Sequence, residues 1–356
     1  MQHALFITDH LGGGGAPQSI LALTRALTQQ GVAVTLVVLS DKVWHAVPEG
    51  VAVHCLPLAP RWPWDRWRRY RLHARQLDAL VERLDLAHAD LVVANLYYSH
   101  QVVVRSSLAD RAWLCIRSDR ASHLAAGEDR KTRRRRRDLV RLYHRRRVIA
   151  ISRGLLDSLR RAGVEPAETR VIHNGIDIET IRARMREAVD YRDYLVFVGR
   201  LVRKSKRYDR LLRAYRASGV TQRLLMIGDG DTTDVRREIE ALGLEERVVL
   251  LGQLDNPYPY MHHARLLVLS SDYEGFGRVI AEALACDTPV VSTDCPSGPR
   301  EILTGGLARG LVPMHDEAAL ARAIGELVAD PPPIHEADYR RFDPAAIAEQ
   351  YRALPG

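Results

Sequence analysis

Short apolar runs, each closed by a polar or glycine-containing turn, alternate along this chain with longer segments whose apolar positions recur at helical spacing. The pattern predicts a strand near His3–Thr8, a glycine loop at Gly12–Gly15, a helix over Pro17–Gln30 and a strand over Val32–Leu39. Further strands are predicted at Val51–Leu56, Asp90–Asn95, Trp113–Arg117, Val148–Ile151 and Arg170–His173. Asn174-Gly175 is a turn signal, and the polar stretch from there to Asp193 reads as a linker or peripheral helix. A second series predicts strands at Tyr194–Gly199, Leu224–Gly228, Val248–Leu251, Leu266–Leu269 and Pro289–Thr293. A helix over Glu317–Ala329 is ended by Pro331-Pro332-Pro333, and a last helix falls near Ala345–Ala353. Strand–helix alternation of this kind predicts an α/β protein of parallel sheets covered by helices. The natural architecture is two doubly wound domains facing each other across a central cleft, with ligands at the carboxyl ends of the strands.

A chain of 356 residues is long enough for two such domains with their own cores. No N-terminal signal-peptide pattern occurs, and no apolar run reaches the ~18 residues that span a bilayer. Cys55, Cys115, Cys286 and Cys295 are scattered without metal-ligand spacing and read as packing residues of a reducing compartment. The expectation is a cytoplasmic protein without a structural metal. Charge is uneven: residues 1–172 carry 28 Lys and Arg against 16 Asp and Glu, net +12, whereas residues 173–356 carry 24 against 28, net −4. Much of the excess lies in Arg61–Arg71, which interleaves arginine with tryptophan and tyrosine, and in Arg130–Arg147. Three readings stand: a solvated arginine-rich face, attraction to the anionic inner face of a membrane, and, third, nucleic-acid binding, which no recognition module accompanies. Peripheral membrane association is the functional expectation.

The run Tyr273-Glu274-Gly275-Phe276-Gly277-Arg278-Val279-Ile280-Ala281-Glu282 carries the most chemistry. A helix starting near Phe276 would set Glu274 on the loop at its mouth and Glu282 more than a turn inside. Gly275 and Gly277 would let a ligand reach the backbone N–H groups at the helix start. At about 1.5 Å per helical residue, the two carboxylates would stand on the order of 10 Å apart along the axis, a span suited to a nucleotide-sugar with hydroxyls at both ends. Two solvated glutamates beside a tight turn are the plain alternative. The chain has only four lysines, Lys42, Lys131, Lys204 and Lys206, and two of them share the loop after Gly199-Arg200. That clustering suggests a loop wanting a compact ammonium for a diphosphate, with Arg200 beside it, although chance also produces such pairs. Gly228, in Gly228-Asp229-Gly230, would admit a ligand to the backbone, which alone is weak. Gly12–Gly15 lacks the G-x-G-x-x-G spacing of a dinucleotide site, and Asp41 is its sole acidic candidate. His262 and His263 read as surface or packing residues, and Pro257-Tyr258-Pro259-Tyr260 as loop packing ahead of a sugar platform.

Taken in order, these features resemble glycosyltransferase family 4. They are Gly14-Gly15 before a helix, Ile172-His173-Asn174-Gly175-Ile176-Asp177, Gly199-Arg200-Leu201 with a following lysine, Gly228-Asp229-Gly230, Glu274…Glu282, Cys286-Asp287-Thr288-Pro289-Val290-Val291 and Arg341-Phe342-Asp343-Pro344. The resemblance implies the GT-B fold. It divides the chain into an acceptor domain, 1–173, a nucleotide-sugar domain, 174–335, and a C-terminal helical segment, 336–356, packing back on the first. It implies a metal-independent, retaining hexosyltransferase. In that reading Arg200, Lys206 and the backbone of Gly275, Phe276 and Gly277 hold the donor diphosphate, and Glu282 takes the ribose hydroxyls. Glu274 would act at the transferred sugar, and Gly14 and Gly15 would bring backbone to phosphate and acceptor. Lys204 competes with Lys206, because the loop is one residue longer than is usual. The chain reads Cys115-Ile116-Arg117-Ser118-Asp119 where many relatives carry a histidine, so Arg117, Asp119 or His100 would take that role, and Pro17 replaces an acidic residue after the glycine pair. Likeness to bacterial surface-polysaccharide enzymes suggests a UDP-sugar donor and a lipid-linked or lipopolysaccharide acceptor. The competing functions are a sugar-nucleotide epimerase or phosphorylase of the same fold, and a nucleotide-sugar binding protein without turnover.

Overall fold

The computed structural model describes residues 1–58, 65–125 and 129–356, and its chain divides into two compact units. Unit 1 comprises Met1–Gly175 and Pro344–Gly356. Its seven strands are β1 (His3–Thr8), β2 (Ala33–Val38), β3 (Val51–Cys55), β4 (Leu91–Asn95), β5 (Trp113–Ile116), β6 (Arg147–Ala150) and β7 (Glu168–Val171). They pair in parallel in the order β3-β2-β1-β4-β5-β6-β7. Ala4–Ile7 and the whole of β4 are buried, which explains their unbroken apolar runs: a central parallel strand is covered by helices on both faces. The chain winds one way from β1 to β3 and the other way from β4 onward, so the switch point lies between β1 and β4.

Unit 2 is Ile176–Asp343. Its strands are β8 (Tyr194–Val198), β9 (Arg223–Ile227), β10 (Val248–Gly252), β11 (Leu266–Leu269), β12 (Val290–Thr293) and β13 (Leu311–Val312), in the order β10-β9-β8-β11-β12-β13. All are parallel, and the switch point lies between β8 and β11. No described helix is long and apolar enough to cross a membrane.

Three expectations are corrected. The edge strand β7 lies two residues before the predicted Arg170–His173, because the register with β6 pairs Arg147 with Glu168 and Ala150 with Val171. Unit 2 begins after Gly175, not 173, and the return to unit 1 starts at Pro344, not 336. The helix Glu336–Arg340 stays in unit 2 because its anchors do: Arg182 donates to the Tyr339 hydroxyl, and Phe342 lies edge-on to Phe276 with centroids 5.1 Å apart. The helix Pro344–Arg352 then packs on the helix Gly15–Gln29, burying Ile347, Ala348 and Tyr351. Beyond it, the Trp113 indole donates to the Pro355 carbonyl at 3.1 Å. The basic stretches fold as helices, Asp65–Arg83 and Arg130–Tyr143; Arg61, Trp62, Pro63 and Trp64 of the first lie outside the described residues.

Candidate active site

In unit 2, the two loops that leave β8 and β11 flank the switch point, and they bring one basic and one acidic side chain together. Lys206 Nζ stands 2.6 Å from Glu274 Oε1, with side chains 17% and 10% exposed. The Ser271 hydroxyl donates to the same carboxylate oxygen at 2.7 Å. The loops are stitched to each other: the Ser270 hydroxyl lies 2.9 Å from the Lys206 carbonyl, and the Asp272 N–H donates to the Ser205 carbonyl at 2.9 Å. Asp272 is clamped by Arg207 at 3.0 Å and by the fully buried Arg210 at 2.8 Å. Taking this many charges out of water is tolerated because each has a near opposite partner. Lys206 is therefore the loop lysine that meets the acid; Lys204 is exposed, as is Arg200.

The helix expected near Phe276 begins two residues later, at Arg278, with Gly277 at φ +83° as its N-cap. The delay follows from Phe276, whose ring is pulled into the core and whose carbonyl lies against Gly298. Gly275 and Gly277 sit in this turn as predicted. Glu282 falls in the second turn of the helix, its Oε1 2.7 Å from Arg278 Nε. Burial pushes the Glu282 carboxyl above its ordinary range, and the Arg278 guanidinium opposes the rise. Tyr258 belongs to the same corner: burial, with the Glu282 charge close by, pushes its phenol up.

Gly228 has a role the sequence reading did not assign. A Cβ there would lie 2.0 Å from the Gly199 carbonyl oxygen, so the close approach it permits is that of the β8 loop. Gly199 N–H donates to Ile227 O at 2.9 Å, Gly228 N–H to Gly252 O at 2.8 Å, and Leu201 N–H to Asp229 O at 2.7 Å. Those bonds fix the loop that carries Arg200 and Lys206.

In unit 1, Gly14 caps the helix Gly15–Gln29 at φ +106°, with open space where a Cβ would stand. Arg117, past the end of β5, donates to Asn95 Oδ1 at 3.0 Å and to Asn174 Oδ1 at 2.6 Å. Asp119 Oδ1 accepts from Ser122 N–H at 2.9 Å and from the Ser158 hydroxyl at 2.7 Å; its Oδ2 is buried without a hydrogen-bond partner among the described residues. Arg117, Asp119 and Tyr97 line one small hollow. His100 borders it but is spoken for: Nε2 donates to Ala94 O at 3.0 Å and Nδ1 accepts from the Tyr143 hydroxyl at 2.9 Å. Of the three candidates for the first-domain role, His100 is thus held as a packing group, while Arg117 and Asp119 keep polar atoms at the hollow.

Burial lowers the His100 pKa to about 3. The unfolded chain takes up this proton near pH 6.5, so the stability that neutral His100 contributes is complete above that pH and is lost as pH falls toward 3. Between pH 7 and pH 5 the loss should be roughly 2 kcal/mol. Urea midpoints at the two pH values check this: His100→Gln should flatten the profile, leaving the smaller contributions of His73 and His263, whose pKa values burial also lowers. An unchanged slope would show that His100 is protonated in the folded protein.

The residues sequence reasoning missed are those that hold the acids. Arg278, four positions before Glu282 on one helix face, was visible as a spacing. Ser271 and Asp272 carried no signal of their own, since their roles depend on a loop distant in sequence.

Residues 13–180 match the family described as Glycosyltransferase Family 4, and residues 192–330 match Glycosyl transferases group 1. The N-acetylgalactosamine-N,N'-diacetylbacillosaminyl-diphospho-undecaprenol 4-alpha-N-acetylgalactosaminyltransferase of Campylobacter jejuni is 33% identical over 186 residues, which cover 51% of either chain. The lipopolysaccharide 1,6-galactosyltransferase of Salmonella typhimurium is 30% identical over 171 residues, 46% of either chain. This chain therefore spans about half the length of the curated relatives it matches. The crystal structure of Anabaena HepE in complex with UDP-glucose superposes with a TM-score of 0.77 at 22% identity, covering 99% of this chain and 98% of that one. At that identity the likeness shows the shared fold, GT-B, with two Rossmann-like units in one chain.

Proposed function

Because the chain belongs to glycosyltransferase family 4, we propose that it transfers a hexose or N-acetylhexosamine from a UDP-sugar to a lipid-linked or lipopolysaccharide acceptor, retaining the configuration of the anomeric carbon. The observation that carries this reading is the Lys206–Glu274 pair at the switch point of unit 2. An ammonium and a carboxylate in contact beside a sheet crevice are each half of a nucleotide-sugar site. An arriving diphosphate draws Lys206 to itself and frees Glu274 for the hydroxyls of the adjoining sugar. Arg200 and the helix start at Gly275–Gly277 add positive potential around the phosphates, and Glu282, in its buried corner with Tyr258, accepts from the ribose.

In this reading the acceptor oxygen bonds to the anomeric carbon on the face from which the diphosphate departs. The sugar–phosphate C–O bond breaks, and the hydroxyl proton passes to the leaving phosphate oxygen. Lys206 and Arg200 neutralise the charge that develops there, the part a metal plays elsewhere. Unit 1 would take the acceptor, with Arg117 and Asp119 at its polar hollow and Gly14–Gly15 opening the first helix. Its arginine-rich helices would meet the anionic inner face of the membrane. The UDP assignment is supported by the UDP-glucose complex of HepE, and the acceptor class by the names of the Campylobacter and Salmonella enzymes.

A thermal-shift panel of UDP, GDP and ADP with their sugars tests the donor. At a hundred times its Kd, the true ligand should stabilise the fold by about 2.7 kcal/mol, and that ligand should be UDP. Turnover should survive a metal chelator. Stabilisation by GDP or ADP but not UDP would overturn the donor, and no shift with any would overturn the transferase reading.

A further inference from the structure

In unit 1, a cavity of about 1020 Å³ opens among the helices Asp65–Arg83, Tyr97–Val103 and Arg130–Tyr143. Arg69, Arg105, Arg134, Arg141 and Arg146 face it, against one lining carboxylate among the described residues, Asp138. Three of these guanidinium groups are held in place by the protein. Arg105 donates to the Gln101 backbone and side-chain oxygens at 2.6 and 2.9 Å. Arg69 and Arg105 both lie against the Tyr70 ring, 4.8 and 5.4 Å from its centroid, and Arg146 is tied to Asp110 at 3.0 Å and to the Ala109 carbonyl at 2.9 Å. Arg134 and Arg141 stand two turns apart on the third helix, exposed and without an ion-pair partner among the described residues.

Even with Arg146 paired to Asp110 and Asp138 in the lining, the remaining arginines leave an excess of positive charge around one hollow, which a polyanion would relieve. Planar guanidinium forks set on an aromatic frame match the oxygens of phosphate, which they bind in pairs. The volume exceeds what a bare phosphate fills and suits a phosphate with a sugar attached. Its position fits the same class of ligand. Tyr97, the first residue of the helix after β4, lines both this cavity and the small hollow of Arg117 and Asp119, so the two meet at the carboxyl edge of the sheet beside its switch point. We propose that the cavity is a phosphoryl subsite for the acceptor, seating the diphosphate that joins the acceptor sugar to its lipid. The subsite rests on the transferase reading above and gives the acceptor a chemical handle: a charged anchor, not merely a membrane address.

The same helix supplies its own control. Arg130, Arg133, Arg136 and Arg137 border a separate hollow of about 420 Å³, lined among the described residues by arginine. The full-length chain with Arg134→Gln and Arg141→Gln can be compared with Arg133→Gln and Arg137→Gln, each pair removing two charges from one helix. The probes are inorganic pyrophosphate, vesicles doped with a polyprenyl diphosphate, and vesicles of equal charge doped with phosphatidylglycerol. The wild type should bind pyrophosphate and prefer the polyprenyl diphosphate vesicles. The first variant should lose at least about tenfold in both affinities, and the second should stay within about twofold. Equal losses in the two variants, equal binding to both vesicle types, or displacement of pyrophosphate by single-stranded RNA of matched charge would reduce the cavity to a plain basic surface. The UDP thermal shift should be the same in both variants, which also reports that they fold. A shift with UDP but no lipid selectivity overturns the subsite alone; selectivity without a shift from UDP, GDP or ADP overturns the transferase reading and leaves a diphosphate-binding cavity without an acceptor role.

Discussion

Replacing Glu274 by Ala is expected to lower kcat roughly a hundred- to a thousand-fold while UDP binds as well as before, or a few-fold more tightly. The two effects have opposite signs for one reason. The Glu274 carboxylate occupies the Lys206 ammonium at 2.6 Å. In the proposed mechanism a donor diphosphate displaces it, so its removal would leave Lys206 available at no cost to binding. Turnover would fall because, in that mechanism, the carboxylate orders the sugar hydroxyls as positive charge builds at the anomeric carbon. Lys206→Ala should move affinity the other way, weakening UDP, because its loss removes the phosphate partner. Steady-state kinetics with a UDP-sugar, alongside calorimetry with UDP, separates the cases. A Glu274→Ala enzyme that keeps its kcat but loses more than tenfold in UDP affinity would contradict the assignment.

The second large effect concerns stability. Gly228→Ala should destabilise unit 2 by about 3 kcal/mol or more, a large share of the stability of a typical domain. The added methyl would stand 2.0 Å from the Gly199 oxygen and 2.7 Å from its carbonyl carbon, both backbone atoms bound into neighbouring strand ends. Gly228 also sits at φ +150°, where side chains are unwelcome. Gly219→Ala provides the comparison. Its φ is +71° but nothing lies within 4 Å of its Cβ position, so only the backbone penalty of about 1 kcal/mol applies. Urea denaturation of the two variants should differ by several-fold in destabilisation; a Gly228→Ala protein as stable as Gly219→Ala would show that the β8 loop can move aside.

Most of the fold was legible because central parallel strands are buried on both faces and therefore write themselves as apolar runs; Leu266–Leu269 and Glu317–Ala329 fall where the pattern places them. The pattern was weakest where burial is partial. The edge strand β7 has no buried position, with Arg170 exposed and the other three half-buried, and its register is set by β6 instead. The two-residue β13 is too short to leave a period. At the candidate site, the sequence offered the acids and the lysines as separate features but not their pairing. Lys206 and Glu274 are 68 residues apart, and only the switch in strand order brings their loops together. The glycine at 228 looked like an opening for a ligand, since a sequence does not say what fills the space a missing side chain leaves.

The discontinuity of unit 1 has a bearing on how the protein is made. The helix Pro344–Arg352 buries Tyr351 against the first-made half, where its hydroxyl lies 3.6 Å from Cys115 Sγ and its ring 6.2 Å from that of Phe6. Unit 2, by contrast, is one unbroken segment. On the ribosome, the half translated first must therefore wait with part of its core uncovered while the half translated second closes without it. A chaperone that follows the nascent chain should release unit 2 before unit 1, the reverse of the order of synthesis.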